Sequence, residues 1–322
     1  MDSCPWMDAV LDAPSAESAW QSLLERLHGV ARESTSPTEL HNLTIAPDRL
    51  LSESAWELWA GYLRAAPRTT QALREWWSSP AAGGRAVLVV DALSLRELPL
   101  LVGGAERREV ALTATRVTGS EVPSDTEQFA KALGVASRSQ FANNGAPATF
   151  ALASDSLHTD VLSMPFEDCV GLIPHERDVF IWHTWLDDLI HLHRSLPDQI
   201  SRHAVTELQG DGFWRLVDRL RQGRKLVITG DHGYAVARLF SSEETEREVI
   251  EALRETFGAS RYAPAGEGWQ RHLMPPLVLR EGGFLVMMGQ RKWRVQGGFP
   301  HVVHGGLSLL EVAVPFIELP PL

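Results

Sequence analysis

Two stretches of this chain, RAVLVVD (85–91) and RKLVITGD (224–231), carry an apolar, β-branched run almost directly into an acid. A run without the alternation of a half-exposed strand marks a strand covered on both faces. Such strands belong to parallel sheets packed between helices. The surrounding segments agree. RDVFIWHTW (177–185) and REVALTATRV (108–117) read as further strands. DTEQFAKALG (125–134), GFWRLVDRLRQG (212–223) and EETEREVIEALRETFG (243–258) have helical spacing. LVLREGGFLVMMGQRKWRVQGG (277–298) places Gly at the turns of antiparallel hairpins, and LLEVAVPFIEL (309–319) reads as a helix turn and a strand. Alternating strands and helices predict an α/β sandwich with a mostly parallel sheet. In such sheets ligands sit beyond the carboxyl ends of the strands, where Asp91 and Asp231 fall.

Residues 1–82 follow a different pattern and read as a small helical N-terminal region ahead of an α/β domain at 83–322. Ser15-Ala-Glu-Ser precedes AWQSLLERLHGVA, Ser52-Glu-Ser opens a helix through AWELWAGYLRAA, and TTQALREWW follows Pro67. Trp20, Trp56, Trp59, Trp76 and Trp77 are expected to pack, and the region offers a surface for partner docking.

Composition narrows the function classes. With 30 Lys+Arg against 41 Asp+Glu, the formal net charge is −11. That argues against a protein that coats duplex DNA by bulk charge. The 2 cysteines, Cys4 and Cys169, make neither a disulfide framework nor a cysteine-rich zinc site. MDSCPWMDAV lacks the basic and apolar regions of a signal peptide, and no run of about 18 apolar residues occurs. A cytoplasmic setting without membrane contact is the expectation. The 12 histidines raise the question of metal.

Six places carry candidate chemistry. Asp91 follows one buried strand, and Asp231 with His232 follows another; carboxylate and imidazole together suit zinc and similar ions. In WHTWLDDLIHLH (182–193), Asp187 and His191 share one face of a helix, with Asp188 and His193 as competitors. His304 precedes two glycines that let the backbone turn close to a ligand. In EVPSDTEQFAKAL (121–133), a hydroxyl of Ser124 or Thr126 stands at a helix start, where Asp125 also offers a cap. Arg291, Lys292 and Arg294 form a basic group suited to phosphate, and His183 and His301 are further substrate-binding candidates.

The order strand-Asp, Pro-Ser-x-Thr, Asp-x-x-x-His, Asp-His-Gly, His-Gly-Gly resembles the PglZ domain of the alkaline phosphatase superfamily. The pieces that carry it are VLVVDALS, PSDTE, FIWHTWLDDLIH, VITGDHGY and HGGLSLLEVAVP, over about residues 85–319. The resemblance implies a two-metal site. Asp91, Asp231 and His232 would hold one divalent ion, and Asp187, His191 and His304 the other, with zinc expected and manganese or magnesium as alternatives. It implies Thr126 as the nucleophile, with Ser124 as the alternative. PglZ relatives often read Ile-Asp-x-x-Gly-Asp around Asp187, whereas this chain has His191.

The implied activity is metal-dependent phosphoester hydrolysis, with phosphodiesters of nucleotides or oligonucleotides as the expected substrates, in a bacterial phage-defence system. No Cys-x-Pro-Ser-Arg is present, which sets sulfatases aside. The short segment between Thr126 and Asp187 leaves little room for a mutase cap. The competing expectation is a scaffold subunit of a multi-protein defence complex, docking through the N-terminal helices.

Overall fold

The computed structural model describes residues 5–236, 238–239, 247–266, 277–293 and 301–322. At its centre six strands form one sheet: β1 (Gly84–Val90), β2 (Ala114–Gly119), β3 (Leu157–Leu162), β4 (Asp178–His183), β5 (Arg224–Thr229) and β6 (Ala313–Leu319). Their order across the sheet is β2-β6-β5-β1-β4-β3. The neighbours β5, β1, β4 and β3 are parallel, while β6 runs antiparallel to both β5 and β2. This is the expected mostly parallel sandwich.

The apolar runs of β1, β4 and β5 are buried nearly throughout. Leu88 and Val90 pack into a core with the N-terminal helices, and Val87 and Val89 into another with Trp76, Trp77, Phe129 and Phe141. Both faces of β1 are therefore covered, as its unbroken pattern demands. The register pairs Val90 with His183 and Val89 with Thr229, which sets the carboxyl ends of β1, β4 and β5 level. Asp91, Thr184 and Asp231 consequently emerge at one edge of the sheet.

Two local differences from the sequence reading have clear causes. Strand β2 begins at Ala114, because the preceding helix Leu98–Arg107 ends in a Schellman turn. Glu109 adopts φ 55°, its N–H donates to Glu106 O, and the Val110 N–H reaches back to Ala105 O. In the N-terminal region, a helix spans Pro37–Ser54, so Ser52 lies near a helix end and does not open one. Pro47 inside it disguises the pattern; Ser36 caps its start by accepting the Glu39 N–H. The helices Ala16–Glu33 and Thr69–Ser78 form where expected.

The N-terminal helices share a core with the sheet. Trp20, Leu27, Leu40, Leu51, Trp59 and Tyr62 belong to the same buried cluster as Leu88, Val90, Leu310 and Val312. Trp20 packs edge-on against Trp59 and Tyr62, at ring distances of 4.7 and 4.9 Å. The Asp48 carboxylate, fully buried, accepts the Leu309 N–H at the start of the helix turn Leu309–Val312. Among the described residues no helix is long and apolar enough to cross a membrane.

Because that core is continuous, Trp20→Ala should destabilise the whole molecule by about 3–5 kcal/mol. Denaturant unfolding followed by far- and near-ultraviolet circular dichroism checks this. The two signals should shift together, and an early transition confined to helical signal would contradict the shared core.

Candidate active site

Asp91 stands one residue beyond β1. Its N–H donates to His183 O at 2.8 Å, which extends the β1–β4 pairing by one step. Its carboxylate is fully buried; Oδ2 accepts the Trp182 indole N–H at 3.1 Å and a guanidinium N–H of Arg138. Asp231, two residues past β5, is equally buried, and its Oδ1 accepts the Ala92 N–H at 2.9 Å. The His232 ring is fixed by Nδ1, 2.9 Å from Gly233 O. A carbonyl only accepts, so Nδ1 carries the hydrogen. Nε2 then faces Asp231 Oδ2 at 3.4 Å and Asp91 Oδ1 at 3.8 Å.

Thr126 opens the helix Thr126–Ala132, and its hydroxyl enters this group. Oγ1 lies 2.9 Å from Asp231 Oδ2, 3.3 Å from Asp91 Oδ1 and 3.4 Å from His232 Nε2. Ser124 is committed elsewhere. It is fully buried, donates to Gly306 O at 2.8 Å and accepts the Gly305 N–H at 3.1 Å.

The second group forms on the helix Trp185–Leu192, where Asp187 and His191 are one turn apart with Oδ2 and Nε2 at 3.3 Å. His304 Nε2 approaches Asp187 Oδ1 at 3.7 Å. Its ring stacks on His232 at 4.6 Å, so His304 joins the two groups. The turn that carries His304 requires glycine twice. Gly305 has φ +96°, and a Cβ on Gly306 would meet the Arg261 guanidinium at 2.3 Å. A buried ion pair braces this turn: Arg261 Nε and Nη2 each lie 2.8 Å from a Glu311 oxygen, and Glu311 Oε1 also accepts the Gly306 N–H at 2.9 Å.

Electrostatics mark the site as short of positive charge. Burial, and then the charge of Asp231, hold the Asp91 carboxyl well above its ordinary range. Burial alone would lower the His232 pKa, but Asp231 and Asp91 outweigh it and push it up to about 9. Burial opposes ionisation of Asp187 too; the His191 hydrogen bond and the charges of His304 and His232 prevail and hold it at about 2. Burial, and then His232, lower the pKa of His304.

A metal pair fits these residues. In each trio, Asp91–Asp231–His232 and Asp187–His191–His304, one ligand atom per residue lies within 4.8 Å of the others. Among the described residues, Asp187 Oδ1 and His304 Nδ1 are buried without a hydrogen-bond partner, a rarity in folded proteins. The mixed carboxylate and imidazole set suits zinc-like ions.

The other candidates belong to neither trio. His183 is fully buried; Nε2 lies 3.0 Å from Met164 O, and Nδ1 accepts the Trp185 N–H at 3.2 Å. With both nitrogens used, it packs on Phe166 and has none left for substrate. Asp188 accepts the Thr184 hydroxyl at 2.6 Å, and His193 stacks on His203 at 5.5 Å. Arg291 pairs with Glu53 at 2.9 Å, and Lys292 is buried with Nζ on Ala259 O at 2.8 Å. Both side chains thus have partners within the protein; they lie on a short strand, Arg291–Lys292, that pairs in parallel with Arg238–Leu239 and is not part of an antiparallel hairpin. His301 is exposed, and Arg294 lies outside the described residues. Conversely, Arg138 and Trp182 on Asp91 carry no sequence signature.

An α/β sandwich whose parallel-strand ends present two Asp/His trios beside a threonine has the arrangement of an alkaline phosphatase-like domain. The profile described as the BREX system PglZ alkaline phosphatase-like domain matches residues 140–319, and the chain belongs to that family. The matched segment includes Asp187, His191, Asp231, His232 and His304, while Asp91 and Thr126 precede it. Over 171 residues, 50% of the chain, the sequence is 26% identical to the alkaline phosphatase-like protein BrxZ of Escherichia coli O9:H4 (strain HS). That match covers 19% of BrxZ, so the chain spans about a fifth of the length of this curated relative. Among solved structures, murine ectonucleotide pyrophosphatase/phosphodiesterase 5 is similar with a TM-score of 0.45 and 12% identity, covering 74% of this chain and 88% of that one. Phosphonoacetate hydrolase from Sinorhizobium meliloti 1021, in complex with phosphonoacetate, gives 0.45 and 12%, covering 74% and 90%.

Two outcomes follow from this geometry. Zinc should raise the thermal midpoint of chelator-treated protein, with about 2.7 kcal/mol of stabilisation at a hundredfold excess over Kd. Asp231→Ala should abolish most of that response in a thermal-shift titration. Separately, burial depresses the His183 pKa from 6.5 to about 4. The neutral ring therefore stabilises the fold fully above pH 6.5, and that stability is lost as pH falls towards 4. Unfolding free energies measured across this window should fall more steeply for the wild type than for His183→Gln.

Proposed function

We propose that this chain is a metal-dependent phosphoesterase that cleaves phosphodiesters of nucleotides or oligonucleotides through a threonine nucleophile. The observation that carries this reading is the Thr126 hydroxyl, held 2.9 Å from Asp231 Oδ2 and within 3.4 Å of Asp91 and His232. Asp91, Asp231 and His232 would hold one divalent ion and Asp187, His191 and His304 a second. Zinc best matches the donor set, with manganese or magnesium as alternatives. Such ions, when bound, supply positive charge that lowers the pKa of a nearby hydroxyl and offsets charge on a departing oxygen.

The protein's own groups set the geometry. Asp231 Oδ2 accepts the Thr126 hydrogen bond and so fixes the direction in which Oγ1 presents a lone pair. The Thr126 oxygen bonds to phosphorus as the ester P–O bond breaks and the alcohol leaves with a proton. Water then cleaves the phosphothreonine and returns the free hydroxyl. Asp91, Asp231 and His232 are fully buried, whereas Thr126 is partly exposed and the His191 side chain is 45% exposed. A site that opens at the threonine and at the second trio leaves room for a substrate with a second ester group.

Membership of a BREX family and the likeness to BrxZ support a role in phage defence, with partner proteins of such a system. The presence of all six candidate ligands, arranged in two trios, supports an enzyme over an inert scaffold.

The test is metal analysis combined with hydrolysis of bis-p-nitrophenyl phosphate and p-nitrophenyl phosphate. The diester should be the better substrate. Thr126→Ala should lose at least about a thousandfold in turnover while retaining metal. Ser124→Ala should weaken metal binding through the His304 turn, yet keep turnover at saturating metal. Full activity in Thr126→Ala with none in Ser124→Ala would reverse the assignment. Folded wild-type protein with neither metal nor activity would remove the enzyme reading.

A further inference from the structure

Arg138 belongs to neither trio but contacts a carboxylate of the first. It begins the 3₁₀ segment Arg138–Asn144 and reaches back to the carboxyl end of β1. Its guanidinium donates through Nη1 to Asp91 Oδ2, the oxygen that also accepts the Trp182 indole N–H. Asp91 Oδ1 is left facing Thr126 at 3.3 Å and His232 at 3.8 Å. The two oxygens of one carboxylate are thus divided, one towards the trio and one towards Arg138.

Thr126 Oγ1 also lies 3.4 Å from Asp91 Oδ2. Since both groups contact the same oxygen, Arg138 Nη1 and the nucleophile hydroxyl are within about 6 Å of each other. That span matches a phosphoryl group, with phosphorus about 3 Å from the attacking oxygen and a non-bridging oxygen on the guanidinium at about 2.8 Å. A guanidinium has five N–H donors. Among the described residues, Asp91 is the single hydrogen-bond acceptor of Arg138, and the arginine side chain remains 30% exposed. The head is therefore anchored at one nitrogen, with further donors open to a ligand.

We infer that Arg138 is the residue that binds a non-bridging oxygen of the phosphoryl group undergoing transfer, a catalytic role that rests on the phosphoesterase reading above. Anchorage on Asp91 orients the fork beforehand, so little side-chain freedom is lost when phosphate arrives. It also ties substrate recognition to a candidate metal ligand, since one carboxylate serves both.

The experiment uses zinc-loaded full-length protein, with inorganic phosphate as the probe. Metal content is measured by mass spectrometry and phosphate affinity by calorimetry, for wild type, Arg138→Ala and Arg138→Lys. The expected result is unchanged metal content, with phosphate binding weakened about ten- to a hundredfold in Arg138→Ala. Arg138→Lys should fall between, because it retains the charge and loses the fork. kcat/KM for bis-p-nitrophenyl phosphate should drop in the same order. Equal phosphate affinity in Arg138→Ala and wild type, with hydrolysis intact, overturns the assignment and leaves the enzymatic reading standing. Loss of metal from Arg138→Ala also overturns it, since the arginine then acts only through Asp91. Zinc-loaded wild type that neither binds phosphate nor hydrolyses the diester overturns both readings together.

Discussion

Two carboxylates with no solvent exposure, Asp91 and Asp231, sit side by side at the ends of adjacent parallel strands. Burying one such charge is costly, and burying two of the same sign in contact is more so. The surroundings answer with every donor they can supply. Ala92 N–H, the Trp182 indole, the Arg138 guanidinium, the Thr126 hydroxyl and the His232 imidazole all converge on these oxygens. Much of the remaining architecture reads as the means of holding that concentration of charge in place.

The bracing extends well beyond the sheet edge. Glu311 is fully buried yet engages Arg261, Gly306 N–H and Ser308 Oγ, so its charge is spread over several donors. The same turn is held from its other side by Ser124. Asp48, from the N-terminal helix Pro37–Ser54, caps the next helix turn at Leu309. Residues far apart in sequence therefore fix His304 from three directions. This also explains why the N-terminal helices merge with the core, although their amphipathic pattern suggested a separate region.

What was legible in the sequence is what short-range pattern encodes. The β-branched runs of β1 and β5 announce buried strands, and the four-residue spacing of Asp187 and His191 is true on the helix that forms there. The Pro-Ser-x-Thr resemblance favours Thr126 over Ser124, but local pattern does not show why, since both hydroxyls flank one helix start and the contact of Ser124 with Gly305 and Gly306 is long-range. Arg138 was invisible for a related reason. A single arginine in a polar loop has no periodicity, and its meaning comes from a contact 47 residues away. The basic group at Arg291 and Lys292 illustrates the same point, because charge in sequence does not say that one cation will pair with Glu53 and the other will bury its amine on a backbone carbonyl.

The antiparallel strand β6 sits between β5 and β2, so β2 touches the sheet through β6 alone. Yet β2 is made long before β6 on a growing chain. During synthesis, β5, β1, β4 and β3 can pair early, while β2 has only the bridge to Arg68 and the packing of the N-terminal helices, and no strand of the sheet beside it, until Ala313–Leu319 emerges. The Gly306–Glu311 brace of His304 becomes available in that same late stretch. Closure of the sheet and completion of the histidine cluster are thus one event in time. A nascent chain carries Asp187 and His191 without His304 until almost all of these residues have been added.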